Sequence, residues 1–216
     1  MNKHWLERWK VGRIGWHEAA GNRSLQKHWT ASGKRVLVPL CGKSRDLDWL
    51  EGQGNEVVGV ELSDIAVEAF FEENEIGYSV VEGELTAYVA EGRRITIYCG
   101  DYFRFAEGSF NGLYDRAALV ALPPDLRRDY VRHTRSLLSS DAAKLIISVE
   151  YDQSVADGPP FSISAESMAE MWPELERVDA YDDMENCPPK FREAGLREII
   201  EAVWRSPWSH SFGSES

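Results

Sequence analysis

The chain has 216 residues, of which 43% are hydrophobic and 28% charged, as in an ordinary globular protein with a buried core. Its net charge of −12 argues against nucleic acid as a partner, because an acidic surface repels the phosphate backbone. No apolar run in the sequence approaches the roughly 20 residues of a membrane span, so we expect no membrane partner.

The chain has three cysteines, Cys41, Cys99 and Cys187, and their wide spacing matches neither a disulfide framework nor a zinc site. The five histidines form no metal-binding pair, so we expect no metal. Reduced thiols and an N-terminus without an apolar segment favour a cytoplasmic location. Cys41 and Cys99 are interpreted as buried small side chains, since no histidine lies close in sequence to activate a thiol nucleophile.

The predicted elements begin with two short helices, at 3–10 and 24–31, separated by a loop that contains several glycines. Strands and helices then alternate; the strands are predicted at 35–40, 56–62, 94–101, from 111 and at 143–152, and the helices at 44–54, 63–74 and 123–138. After residue 152 the pattern weakens to a short helix at 164–173, edge strands reaching 204 and a frayed tail at 206–216.

Strands that lack alternating polarity and alternate with helices predict a mostly parallel central sheet with helices on both faces. The expected fold is therefore α/β, doubly wound and Rossmann-like, in a single domain over 1–216. Because ligands in such folds bind beyond the carboxyl ends of the strands, the residues at those ends are the candidates for a site.

Glu61 ends the second predicted strand, about twenty residues beyond the first strand-to-helix loop. An acid at this point can accept hydrogen bonds from both ribose hydroxyls of a nucleoside. A carboxylate at the start of the helix beginning at 63 is the alternative interpretation.

Two further strand ends carry polar groups. Asp101 and Tyr102 follow the third strand, where they suit an adenine pocket or, alternatively, a simple helix cap. Arg116 follows the fourth strand among apolar neighbours. Because burying an unpaired charge is costly, this position predicts a functional role for the guanidinium or an ion pair with Asp115 or another acid.

The loop in VLVPLCGKSRD (36–46) contains one glycine, Gly42. A diphosphate needs several glycines for close backbone approach, so this loop argues against NAD(P) and an oxidoreductase. It favours a nucleoside without phosphate, such as S-adenosyl-L-methionine, and hence a methyltransferase.

Six motifs carry a family resemblance: W-x₃-W with GRIGWH (5–17), RVLVPLCGKSRDLDWL (35–50), VVGVELSDIAVEAFF (57–71), IYCGDYF (97–103), LYDRAALVAL (113–122) and EYD with GPPF (150–161). Together they resemble the thiopurine S-methyltransferase family. The resemblance implies S-adenosyl-L-methionine as cofactor and cofactor contacts at Trp5, Trp9, Trp16, Leu40, Glu61, Asp101, Tyr102 and Arg116. It also implies that residues 1–32 form an N-terminal lid, and that Trp16 and Arg116 face the methyl acceptor, with Arg116 assisting catalysis.

The resemblance implies methyl transfer to the sulfur of a small aromatic or heterocyclic thiol, a detoxification reaction. Halide, thiocyanate, hydrosulfide and selenium or tellurium species remain alternative acceptors, and a binding module without turnover remains a third possibility. Arg192 is a second candidate arginine for the acceptor site, and His17 a candidate to orient the acceptor. We expect a monomer, since no partner motif is visible.

Overall fold

The computed structural model describes residues 2–207 of the chain. Most of the predicted tail, from 208 to 216, therefore lies outside the described residues, as does Met1. The helices are α1 (Asn2–Lys10), α2 (Arg23–His28), α3 (Asp46–Gly52), α4 (Asp64–Glu73), α5 (Pro124–Leu137), α6 (Ala165–Met171) and α7 (Pro189–Glu193). The strands are β1 (Arg35–Pro39), β2 (Glu56–Glu61), β3 (Tyr78–Val81), β4 (Thr86–Ala90), β5 (Ile95–Cys99), β6 (Phe110–Asp115), β7 (Leu138–Glu150), β8 (Glu176–Asp182) and β9 (Ile200–Arg205).

All nine strands form one sheet in the order β3-β4-β5-β2-β1-β6-β7-β9-β8. The five central strands, from β5 to β7, are parallel to one another. An antiparallel hairpin extends one side, and β9 and β8 extend the other in antiparallel pairs. The expected doubly wound, mostly parallel α/β sheet is confirmed.

Two apolar clusters cover the two faces of the sheet. One holds Leu47 of α3 and Phe70 of α4, and the other holds Tyr130 of α5 and Met168 of α6. The central strands are buried along nearly their whole length because helices cover both faces, which explains their unbroken apolar sequences. No helix within residues 2–207 is long and apolar enough to span a bilayer.

The structure adds a hairpin, β3 and β4, in a region for which the sequence pattern had predicted no element. β3 is a four-residue edge strand whose side chains are mostly exposed, so it lacks the apolar alternation that identifies a strand. The C-terminal strands were predicted at the edge of the sheet: β8 is an edge strand, whereas β9 lies between β7 and β8.

Hydrogen bonds and ion pairs join the N-terminal segment to β8, the edge strand formed by the C-terminal part of the chain. The hydroxyls of Ser24 in α2 and Tyr181 in β8 lie 2.8 Å apart. Lys27 Nζ and His28 Nε2 lie 2.7 and 2.8 Å from Asp179 Oδ2 in β8. These contacts hold the first 28 residues over the carboxyl ends of the parallel strands.

Candidate active site

A cavity of about 620 Å³ opens at the carboxyl ends of the parallel strands, under the N-terminal segment. Its volume is within the range of small-molecule sites. Eight of the predicted residues lie in its wall: Trp5, Trp9, Trp16, Leu40, Glu61, Asp101, Tyr102 and Arg116.

The loop after β1 explains the single glycine. Gly42 has a φ of +55°, and a Cβ placed on it would lie 3.2 Å from Cζ2 of Trp9. Glycine therefore allows both the left-handed backbone and the contact with the Trp9 ring of the N-terminal helix. Leu40, two residues earlier, has a φ of +49°, which is unusual for a side chain of its size and bends the chain sharply at the cavity wall.

Glu61 is buried at the end of β2, and main-chain groups on both sides hold its carboxylate. Oε2 accepts from the Gly42 N–H at 2.8 Å, and Oε1 accepts from the Ser63 N–H at 2.9 Å. Burial raises the pKa of Glu61, while the hydrogen bonds from Ser63 and Gly42 act in the opposite direction. Each carboxylate oxygen accepts one hydrogen bond from the protein and keeps a lone pair for a ligand hydroxyl.

Asp101 and Tyr102 lie at the end of β5. Asp101 Oδ1 accepts from the Phe103 N–H at 3.0 Å, so this carboxylate caps the short 3-10 turn Tyr102–Arg104 while it also lines the cavity. The Tyr102 hydroxyl lies 2.8 Å from Thr134 Oγ1, in the core. Tyr102 thus lines the cavity while its hydroxyl group is bonded in the core.

Arg116 binds the N-terminal segment. Its Nη1 donates to the Trp16 carbonyl oxygen at 2.6 Å, and its Nη2 donates to the carboxylate of Glu18. Burial acts to lower the pKa of Arg116, but Glu18 and other nearby acids hold it above its ordinary value. Asp115, the acid suggested by sequence, instead accepts from the Ala118 N–H at 3.0 Å and from the Tyr130 hydroxyl.

The three N-terminal tryptophans form one aromatic cluster over the cavity. The ring of Trp16 meets Trp5 edge to face at 5.2 Å and Trp9 at 5.8 Å between centroids. The guanidinium of Arg8 lies 4.6 Å from the centroid of Trp16. Trp5 and Trp9 are one turn apart in α1, so they share a face of that helix, and both contact Trp16.

The thiols of Cys41 and Cys99 are poorly suited to act as nucleophiles. Cys41 is buried as predicted, and burial raises its pKa well above the ordinary value. Cys99 is only partly buried, contrary to the prediction, and this burial raises its pKa to about 11. His17 lines a small pocket beside the cavity, and burial lowers its pKa, so the imidazole is neutral near pH 7.

A further part of the cavity wall comes from residues that the sequence pattern did not identify. The N-terminal segment contributes Arg8 and Arg13, and the C-terminal part contributes a larger set. That set comprises Ile147, Val149, Pro159, Pro160, Asp183, Asn186, Cys187, Pro188, Pro189, Lys190, Ile199 and Glu201. Only the GPPF motif (158–161) gave a sequence signal for this wall.

Arg192, the second arginine candidate, does not line the cavity. Its Nε donates to the Met184 carbonyl oxygen at 3.2 Å, and its Nη2 donates to the carbonyl oxygen of Glu185. Arg192 therefore binds the segment before α7, whereas Lys190, in α7 itself, lines the cavity.

Solved structures with the same fold include methyltransferases. The 1,6-didemethyltoxoflavin-N1-methyltransferase of Burkholderia thailandensis, solved with S-adenosylhomocysteine, has a TM-score of 0.63 at 20% identity and covers 96% of this chain and 87% of its own. A TehB-like methyltransferase of Corynebacterium glutamicum has a TM-score of 0.52 at 17% identity, covering 95% and 98%. The chain therefore has the Rossmann-like fold that methyltransferases of this class share.

A family model described as thiopurine S-methyltransferase matches residues 1–207. A thiopurine S-methyltransferase of Pseudomonas syringae pv. syringae is 42% identical over 93% of this chain and 94% of its own length, and one of Bordetella petrii is 43% identical over 93% and 95%. The chain belongs to the thiopurine S-methyltransferase family. Its cofactor is S-adenosyl-L-methionine. Membership of this family excludes the alternative interpretation of the chain as an NAD(P)-dependent oxidoreductase.

Proposed function

We propose that this enzyme methylates the sulfur of a small aromatic or heterocyclic thiol. The observation that carries the proposal is a single cavity that joins a ribose-type acid, Glu61, to an arginine, Arg116, under an aromatic cluster. The cavity is large enough for a nucleoside and a ring-sized acceptor side by side.

The residues present fit the cofactor. Glu61 has lone pairs free for the two ribose hydroxyls, and Asp101 lies at the strand end where the adenine amino group is expected. Leu40, Trp5 and Trp9 would border the methionine part, where aromatic rings attract a sulfonium. When bound, the cofactor supplies a methyl group on an activated leaving sulfur.

Arg116 would stabilise the thiolate form of the acceptor. Its guanidinium is half-buried at the cavity wall, where a positive charge acts more strongly than in water. Glu18 compensates part of that charge and fastens Arg116 to the loop of Trp16. Arg116 would therefore both favour the thiolate and hold the lid.

Residues 1–32 would act as the lid. Their aromatic cluster covers the cavity, and their hydrogen bonds to β8 and β9 keep the cover in place. An aromatic thiol is largely ionised near neutral pH, so alignment of the acceptor and exclusion of water would supply most of the rate gain, on the order of several kcal/mol. We propose that one chain suffices for this, which a sizing experiment on the purified enzyme checks.

An acceptor panel tests the proposal. Purified enzyme with S-adenosyl-L-methionine is offered thiophenol, 6-mercaptopurine, hydrosulfide, thiocyanate, iodide and selenite, and methylated products are measured by mass spectrometry. Turnover of the aromatic thiols is expected. Turnover of the small anions alone would contradict the proposal and indicate that the enzyme methylates halide, sulfide or metalloid species. S-adenosylhomocysteine binding with no turnover would indicate a binding module.

The role of Arg116 has its own test. Arg116→Met is expected to raise the pH at which thiophenol methylation becomes efficient, since the charge that favours the thiolate is gone. This change also removes the ion-pair partner of Glu18. The double variant Glu18→Gln with Arg116→Met therefore separates the effect of losing the positive charge at the cavity from the effect of leaving a carboxylate without its cation. Arg104→Met, which removes an exposed arginine at the end of β5, is the control. Full activity with an unchanged pH profile in both variants would exclude the role.

A further inference from the structure

Glu201 is a buried carboxylic acid in the acceptor-side wall of the cavity. It lies in β9, where it is 4% exposed and pairs with Val149 of β7 and Tyr181 of β8. The sequence pattern did not single it out, since it falls within an edge-strand segment that carries no motif.

The two oxygens of Glu201 have different surroundings. Oε1 accepts from the Ser24 hydroxyl at 3.0 Å and from the Tyr181 hydroxyl. Oε2 has no hydrogen-bond donor within residues 2–207. Oε2 is not fully buried either. Within residues 2–207, the side-chain atoms that are both fully buried and without a hydrogen-bond partner are Ser139 Oγ and Trp172 Nε1, and Oε2 is not among them. Because Glu201 lines the cavity, Oε2 is the oxygen that it presents to a bound ligand.

No cation neutralises this carboxylate directly. Within residues 2–207, no arginine, lysine or histidine nitrogen lies within ion-pair distance of Glu201, although Arg116 is in the wall of the same cavity. A buried acceptor without a partner is costly, so a ligand group that donates a hydrogen bond to Oε2 would be favoured there. The two hydroxyls on Oε1 keep the carboxylate in one orientation.

We propose that Glu201 is a catalytic residue that accepts the ring N–H proton of heterocyclic thioamide acceptors. The proposal rests on the proposed function and deepens it. A thioamide heterocycle carries its proton on the nitrogen next to the C=S group, whereas a thiophenol carries none on its ring. Glu201 therefore acts on the heterocyclic acceptors and is dispensable for the purely carbocyclic ones.

The reaction balances without another reactant. The thioamide sulfur forms a new bond to the methyl carbon, and the electrons of the broken carbon–sulfur bond remain on the sulfur of the departing S-adenosylhomocysteine. The N–H electron pair forms the ring C=N bond as the C=S bond becomes a single bond. The proton passes to Glu201 Oε2 and then to water when the product leaves.

Glu201→Gln tests the proposal with two acceptors of equal size, 2-mercaptopyridine, which has the ring N–H beside its sulfur, and thiophenol, which does not. The amide oxygen of glutamine can still accept from Ser24 and Tyr181, while its NH₂ replaces the proton acceptor. Glu198→Gln, an exposed change of the same charge in the loop before β9, is the control. Unfolding temperature and S-adenosylhomocysteine affinity are measured for each variant.

For Glu201→Gln, kcat/KM for 2-mercaptopyridine is expected to fall at least about tenfold, with thiophenol within about threefold of the wild-type value. An equal fall for both acceptors would overturn the proposal and indicate that Glu201 only fastens Ser24 and Tyr181. No fall for either would also overturn it. Wild-type turnover of thiophenol reports separately on the proposed function, and if the wild type methylates neither acceptor, both proposals are wrong.

Discussion

The cavity has two sides that are built in different ways. On the proposed cofactor side, Glu61 is held by main-chain N–H groups of Gly42 and Ser63, at the ends of adjacent parallel strands. On the proposed acceptor side, groups far apart along the chain meet; Ser24 and Glu201, for example, are separated by 177 residues. The first side follows from the sheet itself, whereas the second depends on how the two ends of the chain pack on each other, so the two sides can be altered separately.

The largest expected effect lies on the cofactor side, with Glu61→Gln. The amide can accept at one oxygen only, so one of the two main-chain N–H groups and one ribose hydroxyl lose their acceptor. Affinity for S-adenosylhomocysteine, measured by calorimetry, is expected to fall about 100-fold. Glu56→Gln at the exposed start of the same strand is the control, and an affinity like that of the wild type would contradict the assignment of Glu61.

Gly42→Ala tests how the cofactor loop meets the lid. Gly33 also has a left-handed φ, of +65°, but a Cβ on it would meet nothing within 4 Å, so Gly33→Ala measures backbone strain alone. We expect Gly33→Ala to lower the free energy of unfolding by about 1–2 kcal/mol without affecting cofactor binding. Gly42→Ala is expected to cost more, because its Cβ crowds Trp9, and to weaken S-adenosylhomocysteine several-fold. The free energy of unfolding is measured with denaturant and the S-adenosylhomocysteine affinity by calorimetry. If Gly42→Ala and Gly33→Ala change both quantities equally, the contact with Trp9 is unimportant.

Asp115 is the last residue of β6, directly before Arg116 in the chain, and burial raises its pKa to about 6. Between about pH 4 and 6 the folded protein keeps a proton that the unfolded chain releases, so this group lowers the free energy of unfolding as pH rises. The loss is up to about 3 kcal/mol. Asp115→Asn is expected to flatten that part of the stability–pH curve. An unchanged slope in unfolding experiments across this range would contradict the raised pKa.

The smallest expected effect lies on the acceptor side, at Lys190. Its Nζ donates to the Asp157 carbonyl oxygen at 2.7 Å, which joins α7 to the 157–161 segment at the cavity wall. Lys190→Met is expected to raise KM for a thiol acceptor about threefold, because one hydrogen bond that positions the wall is lost. Affinity for S-adenosylhomocysteine is expected to stay constant. A larger change in cofactor affinity than in acceptor KM would show that the two sides are coupled.

Local patterns predicted which residues lie together at the strand ends. The apolar strand followed by Gly42, and the acid at Glu61, are features of neighbouring residues, and the parallel order of β1, β2 and β5 then brings them together. The same reasoning located Asp101 and Arg116 at strand ends. It did not identify Glu18 as the partner of Arg116, because the two are 98 residues apart and no periodic pattern connects them.

By itself, the sequence determined the α/β alternation, the central strands and the positions of the cofactor acid and the arginine. These depend on hydrophobic periodicity and on the fact that parallel strands end at one edge. Only the tertiary structure decided the acceptor wall, the free oxygen of Glu201 and the fastening of α2 to β8. Those features arise from side chains of distant segments that meet when the chain ends pack, and such contacts leave no local pattern in the sequence.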